Sequence, residues 1–312
     1  MKTCYSVSYI VSKVIGYLRL MRPANIVTAI ADILAGVAIS GYFLKVTFET
    51  LTLDQTLPVV CLCLATAGLY GGGVVFNDVF DAELDSTERP ERPIPSGVIS
   101  LTQAIILGSY LLLVGVLAAF SVGGVNGLTG WLAIATGIAA LVYDKWGKHH
   151  RFLGPVNMGL CRGLNLLLGI SIVPGAVATW WWVGLVPILY IAAVTNISRG
   201  EVYGGTANSI RITAVCYAIV LLTIGTVAIF HHNGWKVLPF LLLFAWMIFK
   251  PLRNAWKNPA GPNIGKAVKA GIVALIVMNA SWVAAFDALS YALAVLLLLP
   301  ISMSLGKAFA VT

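Results

Sequence analysis

The chain contains few charged residues and few cysteines. Only 10% of its 312 residues are Asp, Glu, Lys or Arg, and 59% are hydrophobic, whereas about 25% of the residues of a soluble domain are charged. Because a soluble fold needs more polar surface than this, a soluble globular protein is excluded. The five cysteines lie mostly in apolar runs without metal-like spacing, so we expect buried free thiols and no cysteine-based metal site.

Long apolar runs fill most of the sequence. A membrane-spanning helix needs about 20 predominantly apolar residues. Such runs occur at 23–43, 57–77, 100–120, 127–143, 153–173, 180–197, 209–230, 235–250, 266–286 and 289–306. The fourth run is short, and only Asp287 separates the last two. The sequence therefore predicts an all-α integral membrane protein with nine or ten transmembrane helices, in a single domain over residues 1–312.

The basic residues are distributed unevenly among the loops between these runs. If the N-terminus is cytosolic, 17 of the 20 Lys and Arg residues fall on the cytosolic side. They are Lys2, Lys13, Arg19, Arg22, Arg89, Arg92, Lys145, Lys148, Arg151, Arg199, Arg211, Lys250, Arg253, Lys257, Lys266, Lys269 and Lys307. This asymmetry follows the positive-inside rule and accounts for the net charge of +8 without a nucleic-acid partner. The basic loops should instead contact anionic membrane lipids.

The N-terminal segment and the polar loops complete this organisation. In residues 1–22, apolar side chains recur at helical spacing with Lys13 and Arg19 among them, which predicts an interfacial amphipathic helix on the cytosolic surface. Three longer polar loops, at 77–99, 143–152 and 196–211, are also predicted to be cytosolic. We therefore expect a multi-pass protein, of the plasma membrane if the cell is bacterial, with its functional site in these loops.

Acidic residues cluster where the second run ends. Six of the twelve Asp and Glu residues lie between Asp78 and Glu91. On a helix, successive residues are rotated by about 100°, so Asn77, Asp78, Asp81 and Asp85 would share one face. Carboxylates this close repel unless a cation lies between them, and hard divalent cations prefer oxygen ligands.

A solvated acidic loop is the alternative interpretation of this cluster. In that case Arg89 and Arg92 would neutralise the carboxylates. The position at the membrane edge favours function, because a charged side chain at the centre of a membrane helix costs about 2.5–3.5 kcal/mol.

The same segment resembles a known family. The pattern Asn-Asp-x-x-Asp-x-x-x-Asp at 77–85, followed by Arg-Pro-x-Arg-Pro-Ile-x-Ser-Gly at 89–97, resembles the first aspartate-rich motif of the UbiA superfamily of intramembrane prenyltransferases. The segment 19–25, Arg-Leu-Met-Arg-Pro-Ala-Asn, is similar to the family's first helix. The resemblance implies a helical bundle around a central cavity, Mg²⁺ as cofactor and an isoprenyl diphosphate lipid as donor.

The resemblance also implies roles for individual residues. Asp78, Asp81 and Asp85 would bind the metal, and Asn77 would orient the diphosphate or a metal-bound water. Phosphate contacts would come from Arg89, Arg92, Lys145 and Lys148. The loop that begins at Tyr143 resembles the family's Tyr- and Lys-containing loop, although basic residues there also suit the positive-inside pattern. Aromatic faces such as Tyr70, Phe76 and Tyr143 would stabilise an allylic cation.

The third polar loop departs from the family's pattern. The family usually carries a second aspartate-rich motif there, but residues 195–205 contain no aspartate and one acid, Glu201. Either one Mg²⁺ is held mainly by the first cluster, or Glu201 and Asn196 make a weaker second site. Arg199 would replace metal charge by binding phosphate directly. With this loop the chain is similar to the EboC-like branch of the superfamily.

Polar residues within the spans form the last group of candidates. Arg162 lies inside a run and should face the protein interior, where it needs an acid or a phosphate as partner. Asp32 is one such partner, in a buried structural pair, and the donor diphosphate or the acceptor is the other. Asn25, near the start of the first run, would face the same cavity.

Two functions follow from these residues. The first is Mg²⁺-dependent transfer of a prenyl group from an isoprenyl diphosphate to an acceptor that the sequence does not identify. The alternative is a non-catalytic protein that binds or transports an isoprenoid or another metabolite. Transporters bind their substrates near the bilayer midplane, whereas the polar clusters here lie at one face, which favours the enzyme.

Overall fold

The structure of the protein is a computed structural model that describes residues 2–44 and 52–309, without the side chains of residues 2–10, 149, 202 and 203. Within these ranges the secondary structure is helical, with no β-strand. The α-helices are α1 (Lys2–Met21), α2 (Pro23–Ile39), α3 (Leu53–Phe80), α4 (Ala82–Glu88), α5 (Leu101–Gly123), α6 (Leu128–Lys145), α7 (Leu153–Ile170), α8 (Ala176–Trp180), α9 (Leu185–Ser198), α10 (Gly200–Tyr203), α11 (Ala207–Phe230), α12 (Gly234–Lys257), α13 (Gly261–Ala285), α14 (Leu289–Leu296) and α15 (Leu298–Ala308). The predicted all-α class is confirmed.

The number of membrane-spanning helices depends on how bent and polar helices are counted. Seven helices or continuous helix pairs are long and apolar enough to cross a membrane, and an eighth is the bent pair Val11–Met21 and Pro23–Ile39. Two further helices, α6 and α7, have 18 residues each and carry polar residues within them. Both pack inside the bundle, so the predicted nine or ten spans are an approximate count.

Glycines let helices cross at backbone contact. A Cβ atom added at Gly36 of α2 would lie 2.3 Å from the carbonyl oxygen of Leu166 in α7, and one at Gly169 of α7 would lie 2.4 Å from that of Ile33. Small residues allow such close approach between membrane helices. The crossing fixes α2 against α7. It thereby aligns Asp32 and Thr28, which precede Gly36 on α2, with Asn165 and Arg162, which precede Gly169 on α7.

The N-terminal helix joins the bundle through a bend. The axes of α1 and α2 differ by 44°, and Arg22 at the joint has a φ of 48°, a left-handed conformation that is uncommon for a residue other than glycine. Pro23 follows, and a residue before proline is disfavoured in the right-handed helical region. The exposed Val11 and Val14 suit an interfacial helix, whereas the start of its predicted apolar face lies outside the described side chains.

The acidic segment is not one helix, contrary to our prediction. The helix α3 ends at Phe80, Asp81 lies between two helices with φ −92° and ψ 1°, and α4 begins at Ala82. Helical backbone bonds nevertheless continue across the break, from Asp81 N to Asn77 O at 3.1 Å and from Asp85 N to Asp81 O at 2.8 Å. Asp78 and Asp85 share Arg92 as a neighbour, whereas Asp81 contacts Lys148.

Candidate active site

The loop after α4 folds over the end of α3 and buries a guanidinium between two carboxylates. Arg92 donates from Nη1 to Asp85 Oδ2 at 2.6 Å and to Asp78 Oδ1 at 3.4 Å. Arg22 donates from Nη2 to the same Asp78 oxygen at 2.6 Å. Asp78 and Asp85 are only 2% and 4% exposed. Buried carboxylates of this kind need such charged partners, so the two arginines hold the mouth of the bundle together.

A second pair of contacts links the end of α3 to the end of α6. Asn77 donates from Nδ2 to Asp144 Oδ1 at 2.9 Å. The second contact joins Asp81, four residues after Asn77, to Lys148, four residues after Asp144. Lys148 donates from Nζ to Asp81 Oδ1 at 2.5 Å. Three of the four residues were expected in the site from the sequence, and Asp144 was not.

The acids expected to bind metal, Asp78, Asp81 and Asp85 with Glu201 as a separate contribution, do not form one group in this structure. Among the residues that the structure describes, no group of three or more His, Cys, Asp or Glu side chains is placed to hold a metal. In this structure arginine and lysine side chains neutralise Asp78, Asp81 and Asp85, and the role of these aspartates as metal ligands stays a prediction. Arg92 neutralises acids as the alternative interpretation expected, but Asp78 and Asp85 are buried and not solvated.

Two carboxylate oxygens nevertheless remain without a partner. Asp78 Oδ2 and Asp144 Oδ2 are buried and accept no hydrogen bond. A buried polar atom without a partner costs about 1–3 kcal/mol, and more when charged. Such atoms can accept a hydrogen bond from water or coordinate an ion or a ligand.

A central cavity of about 320 Å³ opens beside these residues. Its polar lining includes Arg22, Asn25, Asn77, Tyr143 and Asp144. Apolar lining residues come from α3, α6, α9 and α13, and Thr28, Arg162 and Asn165 of α2 and α7 add polar groups. The apolar residues include Leu69, Val74, Ala140, Ile191, Ile272 and Leu275. The cavity therefore joins a charged mouth to an apolar interior, as a lipid with an anionic head would require.

Tyr70 and Tyr143 both line the cavity, as their positions suggested. Phe76 does not: its ring lies where a Cβ on Gly108 of α5 would meet it, at 2.9 Å. Only the two tyrosines are therefore placed to face a ligand in this cavity.

A buried polar network forms one wall of the cavity. Arg162 pairs through Nε with Asp32 Oδ2 at 2.8 Å and donates from Nη2 to Asp32 Oδ1 at 3.1 Å. Asn165 and Asn279 donate to the same carboxylate at 3.1 and 2.7 Å. The predicted partnership of Arg162 with Asp32 is confirmed. Arg162 also donates to Thr28, so its guanidinium is committed to the protein.

A second, larger groove of about 940 Å³ adjoins the first. Arg22, Asn25 and Ile272 line both. The groove is strongly basic, since one acid, Glu201, lines it together with seven cations. These are Arg22, Arg89, Arg92, Lys250, Lys266, Lys269 and Lys307. Partial burial raises the pKa of Glu201 above its usual value, while Arg89 acts in the opposite direction.

Several residues expected in the site lie away from both cavities. Lys145 lies over the ring of Trp146 at 4.7 Å. Asn196 donates to Ser209 Oγ at 3.0 Å, and Arg199 donates to the backbone oxygen of His150 at 3.1 Å. None of the three is in the lining of the central cavity or the basic groove. Glu201 lines the basic groove, whereas Asn196 contacts Ser209 outside it, so these two residues of the third polar loop have different surroundings.

Sequence reasoning missed two residues of the mouth. Arg22 was noted only as part of a family-like segment, although a cation directly before the first apolar run is a signal for a membrane-edge contact. Asp144 follows Tyr143 at the end of a run, where an acid is as costly as the acids of 78–85. Its partner Asn77 is separated from it by 67 residues, so no local pattern reveals the contact.

Comparison with known proteins supplies the wider relationship. The model of the UbiA prenyltransferase family matches residues 34–264. A digeranylgeranylglyceryl phosphate synthase of Methanococcoides burtonii is 33% identical over 155 residues, which are 49% of this chain and 53% of the relative. The chain thus spans about half the length of the curated relatives it matches.

Solved structures share the fold over nearly the whole chain. A structure concerning digeranylgeranylglyceryl phosphate synthase in membranes has a TM-score of 0.65 at 20% identity, covering 88% of this chain and 99% of that one. A UbiA homolog from Archaeoglobus fulgidus bound to DMAPP and Mg²⁺ has a TM-score of 0.62 at 16% identity, covering 88% of this chain and 98% of that one.

Proposed function

This chain belongs to the UbiA prenyltransferase family, and on that premise we propose that it transfers a prenyl group from an isoprenyl diphosphate to an acceptor within the membrane. One observation carries the proposal. The lining of the central cavity combines Arg22 and the buried Asp144 with apolar side chains of the bundle interior, and Arg22 links this lining to Asp78 through an ion pair. A donor would place its diphosphate at the mouth and its hydrocarbon chain among α3, α6 and α13.

The mouth also fits the Mg²⁺ that the family implies. The unpartnered oxygens of Asp78 and Asp144 are buried carboxylate donors, and Mg²⁺ binds through one or two carboxylates together with substrate phosphates. When bound, the ion would neutralise the negative charge that develops on the departing diphosphate. A UbiA homolog structure with DMAPP and Mg²⁺ supports this assignment by analogy of fold.

The protein's own side chains would do the rest. Arg22 and Arg92 are ion-paired with the acids, and the buried Nε of each has no partner, so each guanidinium keeps one donor for a diphosphate oxygen. Tyr70 and Tyr143 line the cavity, and aromatic faces stabilise a nearby positive charge, as the ring of Tyr70 does for the Arg162 guanidinium at 5.9 Å. The apolar lining excludes water, which would otherwise capture the prenyl group.

The basic groove supports an anionic acceptor. It meets the central cavity at Arg22 and Asn25, so an acceptor held there would reach the reacting carbon of the donor. Lys250, Lys266 and Lys269 suit a phosphate-bearing head group. The relatives named digeranylgeranylglyceryl phosphate synthase are consistent with a glycerol phosphate acceptor.

The direct test uses the purified protein in lipid nanodiscs with labelled geranylgeranyl diphosphate and Mg²⁺. Release of diphosphate in the presence of a phosphate-bearing lipid acceptor is expected. Asp78→Asn and Asp81→Asn should lower the rate about 100-fold or more, the scale seen on losing a group that stabilises developing charge. Glu83→Gln is the matched control, because this exposed acid of the same segment faces neither cavity.

A separate comparison tests the acceptor. Lys266→Gln with Lys269→Gln should raise the KM for an anionic acceptor and leave that for the donor unchanged. Lys257→Gln removes a charge from the exposed end of α12 outside the groove and should change neither. No diphosphate release from donors of any chain length, with ligand binding or transport unaffected by Asp78→Asn, would favour the non-catalytic alternative.

A further inference from the structure

Asp144 is a buried acid with an unused oxygen in the central cavity. It is 4% exposed and lies at the end of α6, in the lining of the cavity. Its Oδ1 accepts a hydrogen bond from Asn77. Its Oδ2 is buried and has no partner. The side chain thus offers one carboxylate oxygen to whatever occupies the cavity.

The protein cations near Asp144 are already engaged. Two cations, Lys148 and Arg22, and one acid, Asp81, are close enough to Asp144 to act on it electrostatically. Lys148 donates to Asp81, and Arg22 donates to Asp78. An unpaired carboxylate beside a bound diphosphate would repel it. A divalent ion between them turns this repulsion into attraction.

The position of Asp144 also compensates for a missing acid. The loop at 195–205 contains one acid, Glu201, and that residue lines the basic groove rather than the central cavity. The carboxylate that lines the central cavity therefore comes from another segment. Asp144 supplies it from α6, facing Asn77 on α3.

We propose that Asp144 is a carboxylate ligand of the divalent ion that accompanies the donor diphosphate, and that it shares this ion with Asp81 rather than with Asp78, which is ion-paired with both Arg22 and Arg92. The proposal rests on the proposed function. It places the second acidic contribution on α6, since two carboxylates with substrate phosphates and water form a normal Mg²⁺ site. Lys148 would turn from Asp81 towards the diphosphate when the ion binds.

The test measures metal binding directly. Mn²⁺, which has a paramagnetic signal when free, is titrated into the full-length protein with geranyl S-thiolodiphosphate, an analogue that reacts slowly. Asp144→Asn keeps an oxygen that can accept from Asn77 but removes the charge. We expect it to raise the Mn²⁺ concentration at half-saturation roughly tenfold or more. Asp144→Glu should give an intermediate value, and Glu83→Gln should match the wild-type protein.

The outcomes separate this proposal from the function on which it rests. A folded Asp144→Asn protein with wild-type half-saturation would overturn the role of Asp144 and leave the transferase intact. A wild-type protein that takes up no Mn²⁺ with the analogue would overturn both. Thermal unfolding of each variant, measured in parallel, shows that a change in Mn²⁺ binding comes from the site and not from loss of the fold.

Discussion

Replacing Asp32 by asparagine should remove one charge from the wall of the cavity with almost no change in shape. In the native protein this carboxylate, 1% exposed, faces Arg162 and two asparagines on α7 and α13. Arg162 is itself 5% exposed. The substitution leaves the guanidinium charged and buried without its counterion, because arginine cannot lose its proton in a protein.

The expected cost follows from that isolation. Removing one partner of a buried ion pair costs about 3–5 kcal/mol, and we expect a loss of this size in the free energy of unfolding. Arg162→Met should cost less, about 1–3 kcal/mol, because the remaining carboxyl can take up a proton and keep its hydrogen bonds from Asn165 and Asn279. Combining both changes should be less harmful than Asp32→Asn alone, because no uncompensated charge remains.

Unfolding in mixed detergent micelles, followed by the fluorescence of the nine tryptophans, measures these differences. The four proteins form a double-mutant cycle whose coupling energy isolates the pair. A coupling energy near zero would refute the structural role of the network. So would an Asp32→Asn protein as stable as wild type but deficient in diphosphate binding, since Arg162 would then serve the ligand.

Three other predictions address different parts of the molecule. Gly169→Ala should lower the free energy of unfolding by about 1–3 kcal/mol, because the added Cβ would lie 2.4 Å from the carbonyl oxygen of Ile33. The control is Gly225→Ala, whose added Cβ has its nearest neighbour, a side-chain atom, at 3.7 Å. Both variants are measured in the same micelle assay. Burial raises the pKa of Glu201 above the ordinary value of 4.5, so the folded state binds its proton more tightly than the unfolded chain. Its contribution to stability should be full below pH 4.5 and decline as pH rises through the raised value; Glu201→Gln should flatten this part of the stability–pH curve. Chelation of divalent ions with EDTA should abolish binding of labelled geranyl diphosphate, with recovery on adding Mg²⁺; binding that persists in EDTA would show that Arg22 and Arg92 alone hold the diphosphate.

The sequence predicted the helices well because apolar composition and length determine membrane spans. Each predicted run from 23–43 to 289–306 coincides largely with described helix. The thiols of Cys61, Cys63, Cys161 and Cys216 are free, as expected, but these cysteines are only partly buried. Arg162 and Asp32 could be paired in advance, since a charge inside a span must find an opposite one.

The arrangement of the acidic mouth could not be predicted in the same way. The assumption of a continuous helix over 77–85 failed at Asp81, where neither proline nor glycine marks the break. The counterions come from distant segments: Arg22 is 56 residues from Asp78, and Lys148 is 67 from Asp81. Side-chain pairs across such separations depend on helix packing, which composition does not encode.

The two ends of the central cavity differ in stiffness. At the wall, α2 and α7 meet backbone to backbone at Gly36 and Gly169, and no side chain lies between them that could change rotamer to admit a ligand. At the mouth, the acids are held by long arginine and lysine side chains with many rotamers. A ligand can therefore enter by exchanging side-chain partners at the mouth, while the backbone crossing of α2 and α7 stays in place.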